Sequence, residues 1–220
     1  MVETGSLEVL EIGLRPYSEV LNLQLETREK VQEENENDHL ILCEHNHVYT
    51  FGKSAERNNL LINPSFLEKI GAEVFDTDRG GDITYHGPGQ LVGYPIINLN
   101  RRKLGVRAYV ELLEKCLIET LAECELDAFQ IEGLTGIWID SMGQKKKIGA
   151  IGIRVSRGVT MHGFALNVST DLSYFNHIVP CGISDKGVTS LKQEGIDLTV
   201  KEFAQIFTRK FDSLLNNPEQ

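Results

Sequence analysis

One segment of the chain concentrates groups that could bind a polar ligand. Residues 79–90 contain Arg79, a hydroxyl, a phenol, an imidazole and four glycines. Adjacent glycines let backbone amides approach a ligand closely, and the guanidinium and hydroxyls can hold its polar head. The segment lacks the Gly-Lys-Ser/Thr ending of a phosphate-binding P-loop. These features predict a ligand-binding loop, although a tight surface loop has the same composition.

Cys181 is the cysteine whose surroundings could support chemistry. Pro180 restricts the chain before it, and Gly182 leaves the sulfur accessible. Cys116 and Cys124 lie on or beside the apolar face of a predicted helix, and Cys43 ends an apolar strand, so we predict that these three are inert core residues. The four cysteines have no Cys-x-x-Cys spacing, which argues against a zinc knuckle or a disulfide framework. An incidental exposed thiol explains Cys181 equally well.

Lys147 is the last of three consecutive lysines and opens a glycine-rich apolar strand. The strand draws its stem inward, whereas Lys145 and Lys146 are expected to stay outside. An ammonium near a thiol lowers the thiol pKa, and a desolvated lysine can accept a proton. A cysteine and a lysine placed together can therefore carry acyl transfer.

The histidines give weaker signals. His162 lies within an apolar strand, where a satisfied core histidine is the commoner case, so we do not assign it as a base. His45 and His47 have a spacing that could suit a metal, but no carboxylate or cysteine cluster joins them. We predict loop histidines and no metal site.

Composition limits the classes of function. The 220 residues fit one domain spanning 1–220, and 41% hydrophobic residues with a mean hydropathy of −0.19 suit a globular protein. A net charge of −10 gives no field that attracts nucleic acid. No stretch approaches the ~20 apolar residues of a membrane span, and no signal peptide is visible, so we expect a cytoplasmic protein.

The predicted elements indicate an α+β fold. Apolar periodicity predicts helices over residues 18–32, capped by Ser18, over 107–125, and after the capping box of Thr199 and Glu202. Strands are predicted at 7–12, 39–43, 91–99, 136–140, 147–155 and 159–168, the last two joined by a turn at 156–158. Because strands and helices do not alternate, we expect a single domain with a central mixed or antiparallel sheet flanked by helices.

Several ordered motifs resemble one family, the lipoyl (octanoyl) transferases, which share a class II synthetase-like fold with biotin and lipoate protein ligases. The resemblance spans residues 40–191 and centres on 79–95. Further blocks match the family in the same order along the chain. Two precede this segment, at 44–45 and 49–52, and four follow it, at 136–140, 147–149, 162–167 and 180–182. Asn46 and His47 replace prolines that are common in the family, and Val179 replaces a frequent Asn, which affects loop shape more than activity.

The resemblance implies roles for individual residues. The acyl-thioester nucleophile corresponds to Cys181, and the lysine that lowers its pKa corresponds to Lys147. The acyl-substrate contacts correspond to three segments that would line a tunnel: Arg79, Gly80, Gly81, Asp82, Ile83, Thr84, Tyr85 and His86; Ala150, Ile151 and Gly152; and Gly163, Phe164 and Ala165.

The resemblance also implies the reaction, the first step of lipoate biosynthesis. Octanoyl would pass from octanoyl-acyl carrier protein, or from a lipoyl carrier protein, to a lysine of a lipoyl domain. The acceptors would be 2-oxoacid dehydrogenase complexes and the glycine cleavage H protein. We expect no cofactor, no metal, no nucleic acid and no membrane partner, and a monomer.

Two alternatives remain from the sequence. An ATP-dependent lipoate or biotin protein ligase of the same fold needs no cysteine, and a carrier-protein-binding module needs no catalysis. For the transferase, docking of an acidic carrier protein would need a basic patch on this acidic chain, and Arg101, Arg102, Lys103 and Arg107 form the densest candidate. A solvated turn explains those four cations equally well.

Overall fold

The computed structural model describes residues 6–33, 36–179 and 187–217. In chain order its elements are β1 (Leu7–Arg15), α1 (Tyr17–Gln32), β2 (Asp38–His45), β3 (Val48–Phe51), α2 (Pro64–Lys69), β4 (Glu73–Asp76), β5 (Thr84–His86), β6 (Gln90–Ile96), α3 (Val106–Glu123), β7 (Ala128–Ile131), β8 (Leu134–Ser141), β9 (Gln144–Ser156), β10 (Val159–Asn167) and α4 (Val200–Asn216). Short 3-10 helices cover Arg57–Asn59 and Leu172–His177.

Two mixed sheets organise these strands. The large sheet has the order β1-β2-β6-β10-β9-β8-β7, in which only the β1–β2 pair is parallel among the described strands. The small sheet has the order β4-β3-β5, with β3 parallel to β4 and antiparallel to β5. The predicted α+β class with a mixed sheet flanked by helices is therefore confirmed.

The helices cover both faces of the large sheet. On one face, α3 and α4 bury aromatic and aliphatic side chains that include Tyr109, Phe207 and Phe211. On the other face, α1 packs Val20 and Val31 against the sheet. The small sheet has its own cluster beside the 3-10 helix at Leu172–His177. A binding site can thus form where the large sheet, α1 and the small sheet meet.

Local sequence signals explain several element boundaries. Thr199 and Glu202 form the predicted reciprocal capping box at the start of α4. The turn predicted at 156–158 lies between β9 and β10: Ser156 ends β9, and Arg157 and Gly158, both with positive φ, connect it to β10. The prediction that Ser18 caps the first helix was wrong: α1 begins at Tyr17, with Pro16 in the N-cap position and no side-chain cap. The proline, whose φ is fixed by its ring, ends β1 and sets this start.

Two further differences from the predicted strands concern β6 and the small sheet. β6 ends at Ile96 rather than at residue 99, although Thr160 still donates its backbone N–H to the carbonyl of Ile97. The strands of the small sheet were not predicted. Each has only three or four residues, which is too short for an alternating pattern to be recognised.

A buried carboxylate joins the start of β2 to the segment after β6. Asp38 is 0% exposed, and Arg101 and Arg102 bind its two oxygens at 2.7 and 2.5 Å. The backbone N–H of Asn98 donates to the same carboxylate at 2.8 Å. Because Arg102 is only 2% exposed, its charge is paired with Asp38 in the interior and is not presented on the surface. The proposed docking patch therefore loses two of its four cations, and Arg107 is paired with Glu111.

Replacing Asp38 by Asn should destabilise the protein strongly. The two guanidiniums would lose their buried counter-charge, and breaking such a buried group typically costs about 3–5 kcal/mol. Urea unfolding followed by circular dichroism measures the free energy of unfolding. Asp76→Asn is the matched control, because its pair with Arg57 leaves the two side chains 66% and 70% exposed and should contribute under about 1 kcal/mol. Equal losses in both variants would contradict a structural role for Asp38.

Candidate functional site

The segment 79–90 forms one wall of a cavity. Arg79 is buried and donates from Nη2 to the carbonyl and the hydroxyl of Thr50, at 2.6 and 2.9 Å. Asn59 donates to both carboxylate oxygens of Asp82 at 3.0 Å, and the backbone N–H of Ile83 donates to one of them. Thr84 to His86 then form β5. The segment is therefore anchored to the small sheet by its own polar side chains.

The large sheet forms the floor of the cavity. Antiparallel pairing places Ala150 opposite Ala165, and Gly152 opposite Gly163. A Cβ atom added to Gly163 would lie 2.1 Å from the carbonyl oxygen of Gly93, and one at Gly152 would lie 2.8 Å from that of Gly80. Only glycine fits these positions, because the backbones approach so closely. The small residues leave a channel along the strands.

The channel is a cavity of about 300 Å³, which is in the lower range for small-molecule sites. Of the sequence-predicted contacts, those that line it are Arg79, Gly81, Asp82, Ile83, Thr84, His86, Lys147, Ala150, Ile151, Gly152, Gly163, Phe164 and Ala165. Two do not line it. Gly80 donates its backbone N–H to the carbonyl of Ile153 behind the wall, and Tyr85 points into the small-sheet core, where its hydroxyl bonds to His47.

Lys147 occupies one end of the cavity. Its Nζ lies 5.3 Å from the centroid of the Trp138 ring, a cation–π distance. Gly136 provides the space for its stem, because a Cβ there would lie 2.4 Å from Lys147 Cε and 3.1 Å from Nζ. The other two lysines lie elsewhere: Lys145 stands over the Phe129 ring, and Lys146 donates to the Ser141 hydroxyl.

A chain of buried hydrogen bonds runs beside the cavity. His86 pairs with Gln90 at 2.8 Å, and Gln90 donates to Asn167 at 3.0 Å. Asn167 donates to the carbonyl of Thr189 at 3.0 Å, and the backbone N–H of Thr189 donates to the carbonyl of Lys147 at 3.0 Å. The sequence patterns predict no role for Asn167 or Thr189. Asn167 lies in the block at 162–167, but its partner at 189 is apparent only in three dimensions.

Cys181 lies outside the described residues. The described chain stops at Val179 and resumes at Gly187, and Gly187 and Val188 line the cavity beside Lys147. The prediction that the other cysteines are core residues is confirmed: Cys43, Cys116 and Cys124 are buried. Burial raises the pKa of all three thiols, which disfavours the reactive thiolate.

The predicted loop position is wrong for His45 and correct for His47, which lies half-buried in the bend between β2 and β3. His45 ends β2, is buried, and bonds to the Tyr94 hydroxyl at 2.7 Å and to the carbonyl of Arg15 at 3.0 Å. His47 stacks on Tyr174 with ring centroids 4.2 Å apart. Across the described ranges, no group of three His, Cys, Asp or Glu residues is arranged to hold a metal ion.

His162 differs from the satisfied core histidine that its strand position suggested. It has a φ of +56°, is 2% exposed, and lines the cavity. Its Nε2 pairs with Asp78 at 2.9 Å, and its backbone N–H donates to Gln24 at 3.0 Å. Its Nδ1 has no hydrogen-bond partner among the residues that the structure describes.

None of the helices within residues 6–33, 36–179 and 187–217 is both long and apolar enough to cross a lipid bilayer.

Comparisons with known sequences identify a family. The model of the lipoyl protein ligase A/B catalytic domain matches residues 16–212. A Bacteroides thetaiotaomicron protein named octanoyltransferase is 47% identical over 219 residues, which cover 96% of each chain. A Cytophaga hutchinsonii protein of the same name is 55% identical over 157 residues, which cover 70% of this chain and 64% of that one.

Solved structures with the same fold are more distant in sequence. A bipartite lipoate protein ligase from Thermoplasma acidophilum has a TM-score of 0.75 at 19% identity, covering 96% of this chain and 84% of its own. The Aquifex aeolicus biotin protein ligase with biotin and ATP has a TM-score of 0.55 at 15% identity, covering 96% and 70%. At such identities the likeness concerns the fold alone.

The buried histidines of the site should remain uncharged well below neutral pH. Burial lowers the pKa of His45 to about 4, that of His86 to about 3 and that of His162 to about 4. In the unfolded chain these histidines bind protons near pH 6.5. Between pH 6.5 and 4, each of them should therefore lower the free energy of unfolding by up to about 1.4 kcal/mol per pH unit of acidification. NMR titration of the Cε1 protons checks this. A midpoint near 6.5 for any of the three would contradict it.

Proposed function

We propose, since this chain belongs to the lipoyl protein ligase A/B catalytic domain family and is an octanoyltransferase, that it takes octanoyl from a carrier-protein thioester and attaches it to a lysine of a lipoyl domain. Lipoyl domains of 2-oxoacid dehydrogenase complexes and the glycine cleavage H protein are the proposed acceptors. The Thermoplasma lipoate protein ligase is described together with its E2 lipoyl domain, which supports this acceptor class.

The position of Lys147 is the observation that carries the proposal. Its ammonium lies at one end of an apolar channel, and Gly187 and Val188, which follow the Cys181 segment, line the same end. An ammonium beside a thiol stabilises the thiolate, which is the nucleophilic form. We therefore assign Cys181 as the nucleophile and Lys147 as its partner.

The channel suits the acyl tail. Its floor and walls include Val92, Ile148, Ile151 and Phe164, with the glycines of β9 and β10 between them. Burying the six methylenes of an octanoyl chain is favourable by about 0.8 kcal/mol each, or roughly 5 kcal/mol in total. This free energy would hold the thioester carbonyl near Lys147 without any contact to a charged substrate group.

The first step is a thioester exchange. The Cys181 thiol gives its proton to neutral Lys147, and the thiolate attacks the carbonyl carbon of the octanoyl thioester. The bond from that carbon to the phosphopantetheine sulfur then breaks, and the leaving thiolate takes the proton back from Lys147. One thioester replaces another, so the step needs orientation and a good nucleophile, and no ATP.

The second step forms an amide. The acceptor lysine attacks the Cys181 thioester as a neutral amine and gives its excess proton to Lys147. The bond between the carbonyl carbon and Cys181 sulfur breaks, and Lys147 returns the proton to the thiolate. This restores the enzyme and releases octanoylated acceptor. Trp138 and Gly136 keep Lys147 in place for both transfers.

Octanoyl should become covalently attached to Cys181 when the protein is mixed with octanoyl-acyl carrier protein in the absence of ATP. Intact-mass and peptide mass spectrometry measure the adduct and its position. Cys181→Ala should lose both the adduct and the transfer, whereas the control Cys124→Ala, which removes a buried thiol, should keep both. Full transfer by Cys181→Ala, or transfer that requires ATP and free octanoate, would instead support the ligase alternative.

Gly136→Ala should impair the reaction by displacing the Lys147 stem. We expect kcat/KM for transfer to fall roughly tenfold or more, since a misplaced acid–base group loses most of its contribution. The rate of Cys181 alkylation as a function of pH should shift to higher pH, because the ammonium no longer favours the thiolate.

Gly143→Ala is the matched control for this substitution. Gly143 also has a positive φ, of 79°, but nothing lies within 4 Å of its added Cβ. It therefore introduces an alanine at positive φ without a clash on Lys147, and should leave the alkylation profile unchanged. Identical profiles for wild type and Gly136→Ala would show that Gly136 does not position the lysine.

A further inference from the structure

The chain enters the Cys181 segment, residues 180–186, from a fixed point on a 3-10 helix. The backbone N–H of Val179 donates to the carbonyl of Asn59 at 2.8 Å, and Ile178 pairs with Leu60 in an antiparallel bridge. Asn59 is the last residue of the first 3-10 helix. The position of this helix therefore determines where the chain leaves for Cys181.

A second anchor follows the segment, where the backbone N–H of Lys147 donates to the carbonyl of Gly187 at 2.9 Å. Cys181 follows Val179 by two residues and precedes Gly187 by six. Because an extended chain spans at most about 3.6 Å per residue, Val179 restricts Cys181 to within about 7 Å, whereas Gly187 allows up to about 22 Å. The anchor at Asn59 therefore limits the position of the thiol more strictly than the anchor at Gly187.

The side chain of Asn59 ties the same helix to the cavity wall. Its Nδ2 donates to both carboxylate oxygens of Asp82 at 3.0 Å, and Asp82 lines the cavity. Hydrogen bonds to an ionised carboxylate are shorter and stronger than those between neutral groups. Asn59 therefore bonds to the wall through its side chain and to the entry of the Cys181 segment through its backbone.

Acyl transfer requires a fixed relation between the cavity wall and the nucleophile. The wall and the floor place the acyl group, whereas the Cys181 segment places the thiol. The reacting atoms must come within about 3–3.5 Å of each other, and a displacement of about 1 Å can reduce the rate on the order of a hundredfold. The entry of the segment borders the cavity, since Phe175 lines it and accepts the backbone N–H of Ile178 at 3.3 Å. A side chain that joins the wall to this entry can therefore set the distance between thiol and acyl group.

We propose that Asn59 is a positioning residue, which holds the Cys181 segment in register with the wall that binds the acyl group and with Lys147. The inference deepens the proposed function and rests on it, because Cys181 must be the nucleophile. Asn59 acts through Asp82 on one side and through Val179 on the other, and its role requires no contact with the substrate.

Asn59→Ala removes the bond to Asp82 without adding a charge. We expect kcat/KM for transfer from octanoyl-acyl carrier protein to fall roughly tenfold or more. The rate of Cys181 alkylation by iodoacetamide as a function of pH should shift to higher pH, because a displaced thiol lies farther from the Lys147 ammonium. Asn58→Ala, at an exposed position of the same 3-10 helix, is the matched control and should change neither quantity. An unchanged kcat/KM or an unchanged alkylation profile in Asn59→Ala would overturn the inference.

A double-mutant cycle tests the pair itself. Asn59→Asp places two carboxylates together and should reduce kcat/KM roughly tenfold or more in the wild-type background. In an Asp82→Asn background the same change should cost less than about threefold, because the new carboxylate then accepts from the amide at position 82. The double variant also has the net charge of the wild-type protein. Equal losses in the two backgrounds would show that the pair does not position the nucleophile.

Circular dichroism of every variant separates a displaced thiol from a loss of folded protein. Asn59 and Asp82 are both half-buried, so we expect Asn59→Ala to keep the fold. If Asn59→Asp does not fold, the alkylation profile of Asn59→Ala decides the question. If Asn59→Ala itself does not fold, Asn59 supports the fold and the inference is overturned. A wild-type protein that forms no octanoyl adduct would instead contradict the proposed function.

Discussion

A line of buried hydrogen bonds from β5 to the backbone of Lys147 holds the site together. It starts at His86, passes through Gln90 and Asn167, and ends on Thr189, which bonds to Lys147. Each of these side chains is buried, so an unpaired member would cost about 1–3 kcal/mol. The small sheet, the large sheet and the segment after residue 187 are therefore fixed relative to one another. The cavity lies between these parts and depends on that alignment.

The glycines of the floor impose a second constraint on the same region. Close backbone approaches at Gly152 and Gly163 leave no space for any side chain, and the wall formed by Arg79 and Gly80 rests directly on Gly152. An apolar channel next to a buried guanidinium is a low-dielectric environment, in which charges interact strongly. Burial keeps His86 and His162 neutral there. Lys147, which stands over Trp138, lines the same cavity.

The arginines show why the net charge of −10 says little about partners. Arg79 binds Thr50, and Arg101 and Arg102 bind Asp38, so three cations of the motif and of the supposed basic patch stabilise the fold. The run of cations at 101–103 cannot reveal the pairing of Arg101 and Arg102, because their counter-charge, Asp38, lies more than sixty residues earlier in the chain. Fold and chemistry also place different demands on the sequence. The fold persists in structures below 20% identity, whereas the chemistry depends on particular side chains.

Much of the molecule follows from the sequence alone. Apolar periodicity determined the major helices and strands and the α+β class, because local packing patterns repeat every two or 3.6 residues. The family resemblance selected three compact segments, and most of their residues line the cavity. The short strands of the small sheet, the position of Tyr85 in the small-sheet core and the hydrogen-bonded chain to Thr189 were decided only by tertiary structure. So was the placement of Lys147 in the cavity wall, because it depends on a glycine at 136 and a ring at 138 that lie on the neighbouring strand. Contacts between residues distant in the chain are set by strand pairing, which no local pattern encodes.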